Sequence, residues 1–297
     1  MTADLLASIP SPDSGVIDLG PVPLHMYGLM IAIGVLVAAR VAEVRYVKRG
    51  GSSKDFGDIV VWGVIAGIIG ARVYHVITDY QLFTDDWLRA FQIWRGGLSI
   101  WGAIAGGALG VYIVARRRKL VFIDIADAAA PGLAFAQSIG RWGNYFNQEL
   151  FGGPSDLPWA IEISPANRPP EHLDAATFQP MFLYESLYCL ALGLVLLWID
   201  SRVRLKRGQL FALYVAGYTA VRFVFEEMRV DPAHLIGPLR VNAWVSVVLF
   251  AAAVAWFLWL GRHGTDRPYA TDEASADGSD RTPKGGHTTA AGDAPSL

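Results

Sequence analysis

The chain has 297 residues, 53% hydrophobic and 18% charged, with 31 glycines, 10 tryptophans and one cysteine. That apolar excess excludes disordered, collagen-like and disulfide-scaffold classes and points to a chain that lives in lipid. Lys plus Arg total 25 against 27 Asp plus Glu, so a net charge of -2 supplies no basic field for nucleic acid.

Residues 1–23 hold no Lys or Arg ahead of the first apolar stretch. The basic region of a cleavable signal peptide is therefore missing, and the first span is expected to stay in place behind an extracytoplasmic N-terminal segment. A spanning helix needs about 20 mostly apolar residues. Seven stretches qualify, at 24–44, 58–78, 98–115, 122–142, 182–199, 208–225 and 241–260. The fourth is interrupted by Asp124, Asp127, Pro131 and Gln137, which is tolerated where a helix faces protein or water. The expected class is an all-α polytopic membrane protein with seven transmembrane helices over 24–260.

Orientation follows from the basic residues of short loops. Arg45, Lys48, Arg49 and Lys54 follow the first span, Arg116 to Lys119 the third, and Arg202, Arg204, Lys206 and Arg207 the fifth. The alternate loops hold only Arg89, Arg95, Arg168, Arg229 and Arg240. The N-terminus is thus expected outside and the C-terminus in the cytoplasm. Residues 144–180 form a long connection rich in Pro and Gly, with a strand-like alternation at 159–163, and read as a small extracytoplasmic head. From Gly264 the composition turns to Asp, Gly, Ser, Thr and Pro, so 261–297 is assigned to a disordered cytoplasmic tail.

Ionisable residues within spans are expensive and mark pairing networks or cavities. In the expected orientation Arg72, His75, Arg141, Glu185, Arg222 and Glu226 all fall at the outer ends of their spans. Arg222, Glu226 and Arg229, four and three apart, share one helical face. That spacing suits a self-satisfied ion-pair ladder, but with Arg141 and Arg72 the guanidinium exceeds the carboxylate, which suits an anionic head group at the lipid interface. His75, one turn from Arg72, reads either as a base or as a hydrogen-bonded helical histidine. Asp124 and Asp127, at the inner end, are expected to cap the start of the fourth span through its dipole. Gly63 and Gly67, and Gly102, Gly106 and Gly110, recur every four residues and read as close helix packing. Trp87, Trp94 and Trp159 read as interfacial anchors, and Cys189, without a neighbouring His or Lys, as packing.

The run Gly140-Arg141-Trp142-Gly143-Asn144-Tyr145-Phe146-Asn147-Gln148-Glu149-Leu150-Phe151-Gly152 interleaves an arginine, amides, a carboxylate and glycines with aromatics. Its glycines suit tight turns and close backbone approach, and its amides and guanidinium supply directional hydrogen bonds. It resembles the signature of the bacterial prolipoprotein diacylglyceryl transferases, Gly-Arg-x-Gly/Ala-Asn-Phe-x-Asn-x-Glu-x-x-Gly, departing from it only at Tyr145. Tyr27-Gly28-Leu29-Met30, Leu157-Pro158-Trp159, Leu183-Tyr184-Glu185 and Arg222-Phe223 with Glu226 and Arg229 are similar to further motifs of that family, so the resemblance covers residues 24–260. Two departures stand out. Trp101 follows Gly96-Gly97-Leu98-Ser99-Ile100 where many members have His, and Gln179 precedes Pro180 where a His-Pro is usual.

The resemblance implies an enzyme of the bacterial cell membrane, its active site on the extracytoplasmic side. It would move the diacylglyceryl group of phosphatidylglycerol to the lipobox cysteine thiol of a prolipoprotein signal peptide, leaving a thioether and glycerol 1-phosphate. No metal or organic cofactor is implied, and the partners are membrane lipid and the peptide. On that reading Arg141 is the main phosphate ligand, Asn144 and Tyr27 position the head group, and Arg222 stabilises leaving-group charge. Asn147, Glu149, Gly152, Glu185, Glu226, Arg229, Arg72 and His75 complete the substrate-binding set. The proton acceptor stays open between His75, a carboxylate and thiolate formation in the positive field. A secondary transporter or binding protein for an anionic lipid or organic anion would also use buried arginines, but a transporter would favour a midplane site and paired repeats.

Overall fold

The computed structural model describes residues 8–20, 22–93, 96–231 and 235–267. Trp94, Arg95 and the greater part of the expected tail, 268–297, lie outside them. Among the described residues seven long α-helices carry the chain: α1 Met26–Val47, α2 Ser53–Thr78, α3 Ile100–Arg117, α4 Phe122–Asn147, α5 Met181–Arg202, α6 Gln209–Met228 and α7 Val241–His263. Every expected apolar stretch is a helix. Four of them, α1, α2, α5 and α7, are long and apolar enough to cross a membrane. Arg116 and Arg117 at the end of α3 and the charged residues of α4 and α6 bring those helices below that standard. Leu36, Ile69, Leu194 and Val248 lie exposed on the outer faces of the apolar helices, a surface suited to lipid and not to water. The chain is a membrane protein.

The helices associate in pairs, α1 along α4, α2 along α3 and α6 along α7, with α5 against α4. Small residues set these approaches, because lipid supplies no hydrophobic drive between helices and backbones must come close. A Cβ on Gly102 would fall 2.2 Å from the carbonyl oxygen of Gly70, and one on Gly132 would fall 2.7 Å from that of Ala38. The packing reading of the four-residue glycine repeats holds for Gly102, Gly106 and Gly110, which meet α2 backbone or Ala66.

α4 continues through Pro131, which is buried. Proline has no N–H, so the Asp127 carbonyl one turn earlier loses its helical partner. The Arg45 guanidinium of α1 donates to that carbonyl at 3.3 Å and to Ala128 O at 3.0 Å. An arginine at the end of one helix thus repairs the gap in its neighbour.

Asp127 itself departs from expectation. Its carboxylate does not cap α4, where it lies more than a turn inside; it accepts the backbone N–H groups of Gly208 at 2.7 Å and Phe211 at 2.8 Å. It therefore caps α6, whose own N-cap residue, Gly208, has no side chain to do so. Asp124 does lie in the first turn of α4 and pairs with Arg207 at 3.1 Å. The same end of the bundle is locked by Arg267, which reaches Asp127 at 2.9 Å and Asp200 at 2.6 Å, while Arg45 and Arg49 reach Asp200 at 3.1 and 2.8 Å. α7 itself continues to His263, and Arg267 just beyond it is buried.

At the opposite end β1 Val16–Leu19 and β2 Val22–His25 form a hairpin leading into α1. The segment after α4 folds as a small head. Its strands β3 Ile161–Glu162 and β4 Thr177–Phe178 pair antiparallel with Ile161 opposite Phe178, and Ile9 adds a parallel bridge to Ile161. Phe151, Ile161, Ile163, Phe178 and Phe182 form its core. A second short hairpin, β5 Leu235–Ile236 with β6 Leu239–Arg240, joins α6 to α7.

A candidate anion-binding active site

The signature run is helical further than its glycines suggest. α4 continues through Gly140 and Gly143 to Asn147 and stops at Gln148, which takes the left-handed conformation at φ 51°. The first residues of the expected head thus belong to the helix. Gln148 then ties three segments together, donating to Pro12 O at 2.9 Å and accepting from the Ser164 N–H at 2.8 Å.

Because α4 is intact here, Arg141 and Asn144 lie one turn apart on one face. Arg141 meets Glu185 of α5 at 2.6 Å and donates to the Tyr218 hydroxyl of α6 at 3.4 Å. Arg222, one turn beyond Tyr218, has Nη1 3.6 Å from the other Glu185 oxygen and pairs through Nη2 with Glu226. Two guanidiniums from different helices thus share one carboxylate that is 4% exposed. The Nη1 atom of Arg222 is buried and has no hydrogen-bond partner among the described residues. Buried donors normally find an acceptor, and for this one the Glu185 oxygen at 3.6 Å lies just beyond hydrogen-bond range.

Glu226 is 1% exposed and collects more than its helical neighbour. Arg229 approaches it at 3.5 Å, although α6 ends at Met228 and Arg229 already lies in extended backbone. Arg240, from β6, also lies 3.5 Å from it, and Asn242 donates to it at 3.3 Å. Asp231 closes the network with a two-pronged contact from Arg229 at 2.7 and 2.8 Å. Burial alone would raise the Asp231 carboxyl; the Arg229 hydrogen bonds and the charges of Arg229 and Arg240 outweigh it and hold it below the usual carboxylate range. Arg141, Arg222, Arg229 and Arg240 face Glu185, Glu226 and Asp231, so the network keeps one positive charge over.

Beside it lies a second group. Asn144, which is buried, donates to Glu149 at 2.8 Å, and Asn147 donates to the same oxygen at 3.4 Å. The Tyr27 hydroxyl lies near Asn144 and within the fields of Glu149 and Arg141. Its ring packs on Gly143, where a Cβ would fall 2.4 Å from Cδ2. Gly152 anchors the far end of the signature: it bridges to Arg229, and its N–H donates to Gln179 O at 3.0 Å. Gln179 therefore serves through its backbone, also donating to Gly153 O at 2.9 Å, and no imidazole is needed for that contact.

Arg72 and His75 are placed elsewhere. Arg72 spends its donors on the carbonyls of Ala90, Gly96, Gly97 and Arg89 at 2.5–3.0 Å and stacks over Phe83. It holds the α2–α3 loop and makes no contact with the carboxylates of the arginine cluster. His75 pairs with Asp79 at 2.9 Å, and a Cβ on Gly97 would fall 2.3 Å from its Nε2, a crowding that glycine at φ +73° avoids. Trp101 is 47% exposed near the start of α3. Tyr218, Arg240, Asn242 and Asp231 escaped the sequence reading. Tyr218 precedes Arg222 by one helical turn, and that spacing was the available signal; the other three act across a turn.

Residues 14–259 match the family model for prolipoprotein diacylglyceryl transferase. A phosphatidylglycerol--prolipoprotein diacylglyceryl transferase of Streptomyces griseus is 54% identical over 85% of this chain and 78% of its own length. A protein of Streptomyces coelicolor with that name, numbered 1, is 51% identical over 92% of this chain and 81% of its own. One from Cutibacterium acnes is 48% identical over 86% and 87%. With the family model and these relatives all spanning most of its length, the chain belongs to the prolipoprotein diacylglyceryl transferase family.

Proposed function

We propose that this protein transfers the sn-1,2-diacylglyceryl group of phosphatidylglycerol to the lipobox cysteine thiol of a prolipoprotein, forming a thioether and releasing glycerol 1-phosphate. The observation that carries the reading is the sharing of Glu185 by Arg141, from the signature, and Arg222, from the sixth-helix motif, in a network with one positive charge over. Family membership and the names of the relatives support the reaction.

In the transfer sulfur bonds to the glyceryl carbon, the carbon–oxygen bond to phosphate breaks, and the thiol proton passes to the departing phosphate monoester or to solvent. The site must favour thiolate and stabilise the departing phosphate. Arginines do both without titrating. Arg141 is assigned the phosphate and Arg222 the developing leaving-group charge, with Glu185 and Glu226 fixing the two guanidiniums. Asn144, Tyr27, Asn147 and Glu149 are assigned the polar head group, whose hydroxyls need both donors and acceptors. Gly152 and Arg229 fix the head over the site. Arg72 and His75 are assigned the shaping of the α2–α3 loop.

All seven helices are proposed to cross the bacterial cell membrane, with the N-terminus and the active site outside and the C-terminus in the cytoplasm. The concentration of Lys and Arg after α1, α3 and α5 supports that orientation. A C-terminal reporter fusion active only on the extracytoplasmic side would reverse it.

The decisive test is mass spectrometry of a synthetic lipobox peptide incubated with the protein in phosphatidylglycerol liposomes, beside Arg141→Ala protein and a Cys-to-Ser peptide. A diacylglyceryl mass gain needing both thiol and Arg141 is expected. Folded protein that binds lipid and gives no gain would instead indicate a lipid-binding protein.

A further inference from the structure

Glu226 divides its carboxylate between two sets of partners. One oxygen faces Arg222 and Arg229; the other faces Arg240 at 3.5 Å and the Asn242 amide at 3.3 Å. Arg240 is itself rigidly held. Its Nη2 donates to the backbone carbonyls of Arg229 at 2.7 Å and Asp231 at 2.8 Å, and Nη1 lies 3.6 Å from the Asp231 carboxylate. A guanidinium fixed by two carbonyls is a preorganised anchor, since little side-chain freedom remains to be lost.

A carboxylate held from one side only can rotate and carry its partner with it. Clamped from both sides, Glu226 keeps the Nη2 side of Arg222 engaged, which leaves Nη1, the buried nitrogen without a hydrogen-bond partner, turned toward Glu185. We propose that Arg240 is a positioning residue for the transfer reaction: acting through Glu226, it sets the guanidinium of Arg222 that stabilises the leaving phosphate. The inference rests on the reaction proposed above. Sequence reading places Arg240 only among the sparse basic residues of an outer loop, and its reach back across the β5–β6 hairpin gives it this second role.

A stapling role is the competing account, because the same guanidinium also ties the hairpin to the end of α6. A double-mutant cycle separates the two. Turnover of the lipobox peptide in phosphatidylglycerol liposomes would be measured for wild type, Arg240→Gln, Arg240→Lys, Glu226→Gln and the Arg240→Gln/Glu226→Gln double variant. In the native background Arg240→Gln is expected to lower kcat about tenfold with KM for peptide changed less than about twofold. Arg240→Lys, which returns a charge but not the two-pronged fork, should recover part of that loss. With Glu226 already neutral, Arg240→Gln should cost less than about twofold more.

An equal loss in both backgrounds would overturn the inference in favour of stapling, as would wild-type kcat in Arg240→Gln. If Arg240→Gln does not fold, the cycle is closed with Arg240→Lys, and an equal loss in both backgrounds again overturns the inference. Wild-type protein without turnover would remove the reaction and this inference together, whereas turnover with additive losses removes the inference alone.

Discussion

Arg141 of α4 and Arg222 of α6 hold opposite oxygens of Glu185, the first at 2.6 Å and the second at 3.6 Å. The unequal distances give the two arginines different freedom. Arg141 is committed to its carboxylate on one nitrogen, whereas the Arg222 nitrogen on that side lacks a hydrogen bond. Glu185 therefore behaves as a spacer that keeps two like charges near one another without neutralising both.

Replacing Glu185 by Gln keeps the shape and removes the charge between the guanidiniums. Their mutual repulsion should then displace both, and a displacement of about 1 Å is enough to cost roughly a hundredfold in rate. Thioether formation by Glu185→Gln protein is expected to fall by that order, with phosphatidylglycerol still bound. Turnover within about twofold of wild type would show that the arginines hold their places without it.

Two signature glycines should behave oppositely. A Cβ on Gly143 would press into the Tyr27 ring, while one on Gly140 meets nothing within 4 Å. Gly143→Ala should lower the Tm in detergent and impair turnover, because the Tyr27 ring, 2.4 Å from the added Cβ, must shift out of its place beside the site. Gly140→Ala should leave the Tm unchanged or slightly raised, alanine being worth up to about 1 kcal/mol over glycine inside a helix. Equal Tm losses in the two variants would contradict the packing described for Tyr27.

The helices were legible because an apolar run of spanning length leaves few alternatives, and even α4, broken by Pro131 and two aspartates, forms where expected. Its outer end was not. Gly140 and Gly143 suit tight turns or close approach on sequence; they are helical, and only Gly143 has a close neighbour, the Tyr27 ring of another helix. Arg141, Arg222, Glu185 and Glu226 were legible from their cost in a lipid-facing segment. Arg72 carried the same cost and found a different solution in loop carbonyls, which leave no trace in side-chain identity. Asp127 capping α6 and Arg267 closing the inner end join positions far apart along the chain, and no local spacing announces such pairs.

Arg267 offers a test of that inner closure. Its side chain is 1% exposed, between Asp127 and Asp200. Removing one member of a buried ion pair leaves an uncompensated charge and typically costs about 3–5 kcal/mol. Arg267→Met should therefore lower the Tm substantially, and Asp127→Asn, which also weakens the cap on α6, should do so too. The outer arginine cluster is not touched, so at temperatures where the variants are folded their KM for lipid should match wild type. An Arg267→Met protein with native Tm would show that the segment after α7 adds no stability.

The Asp231 carboxylate makes the outer network sensitive to acid. Its pKa in the folded protein lies below the ordinary value of about 3.9. The unfolded chain therefore binds its proton first as pH falls, and the stabilisation is fully present above that ordinary value. It is lost as pH drops through the lower folded value, when Arg229 and Arg240 lose their partner. Half-burial limits the size of the effect, so the sensitive measurement is local. Hydrogen exchange in the β5–β6 hairpin should accelerate below about pH 4 in the wild type. In Asp231→Asn that acid step should vanish, with faster exchange already present at neutral pH. An acid step of the same size in both proteins would assign it to another carboxylate.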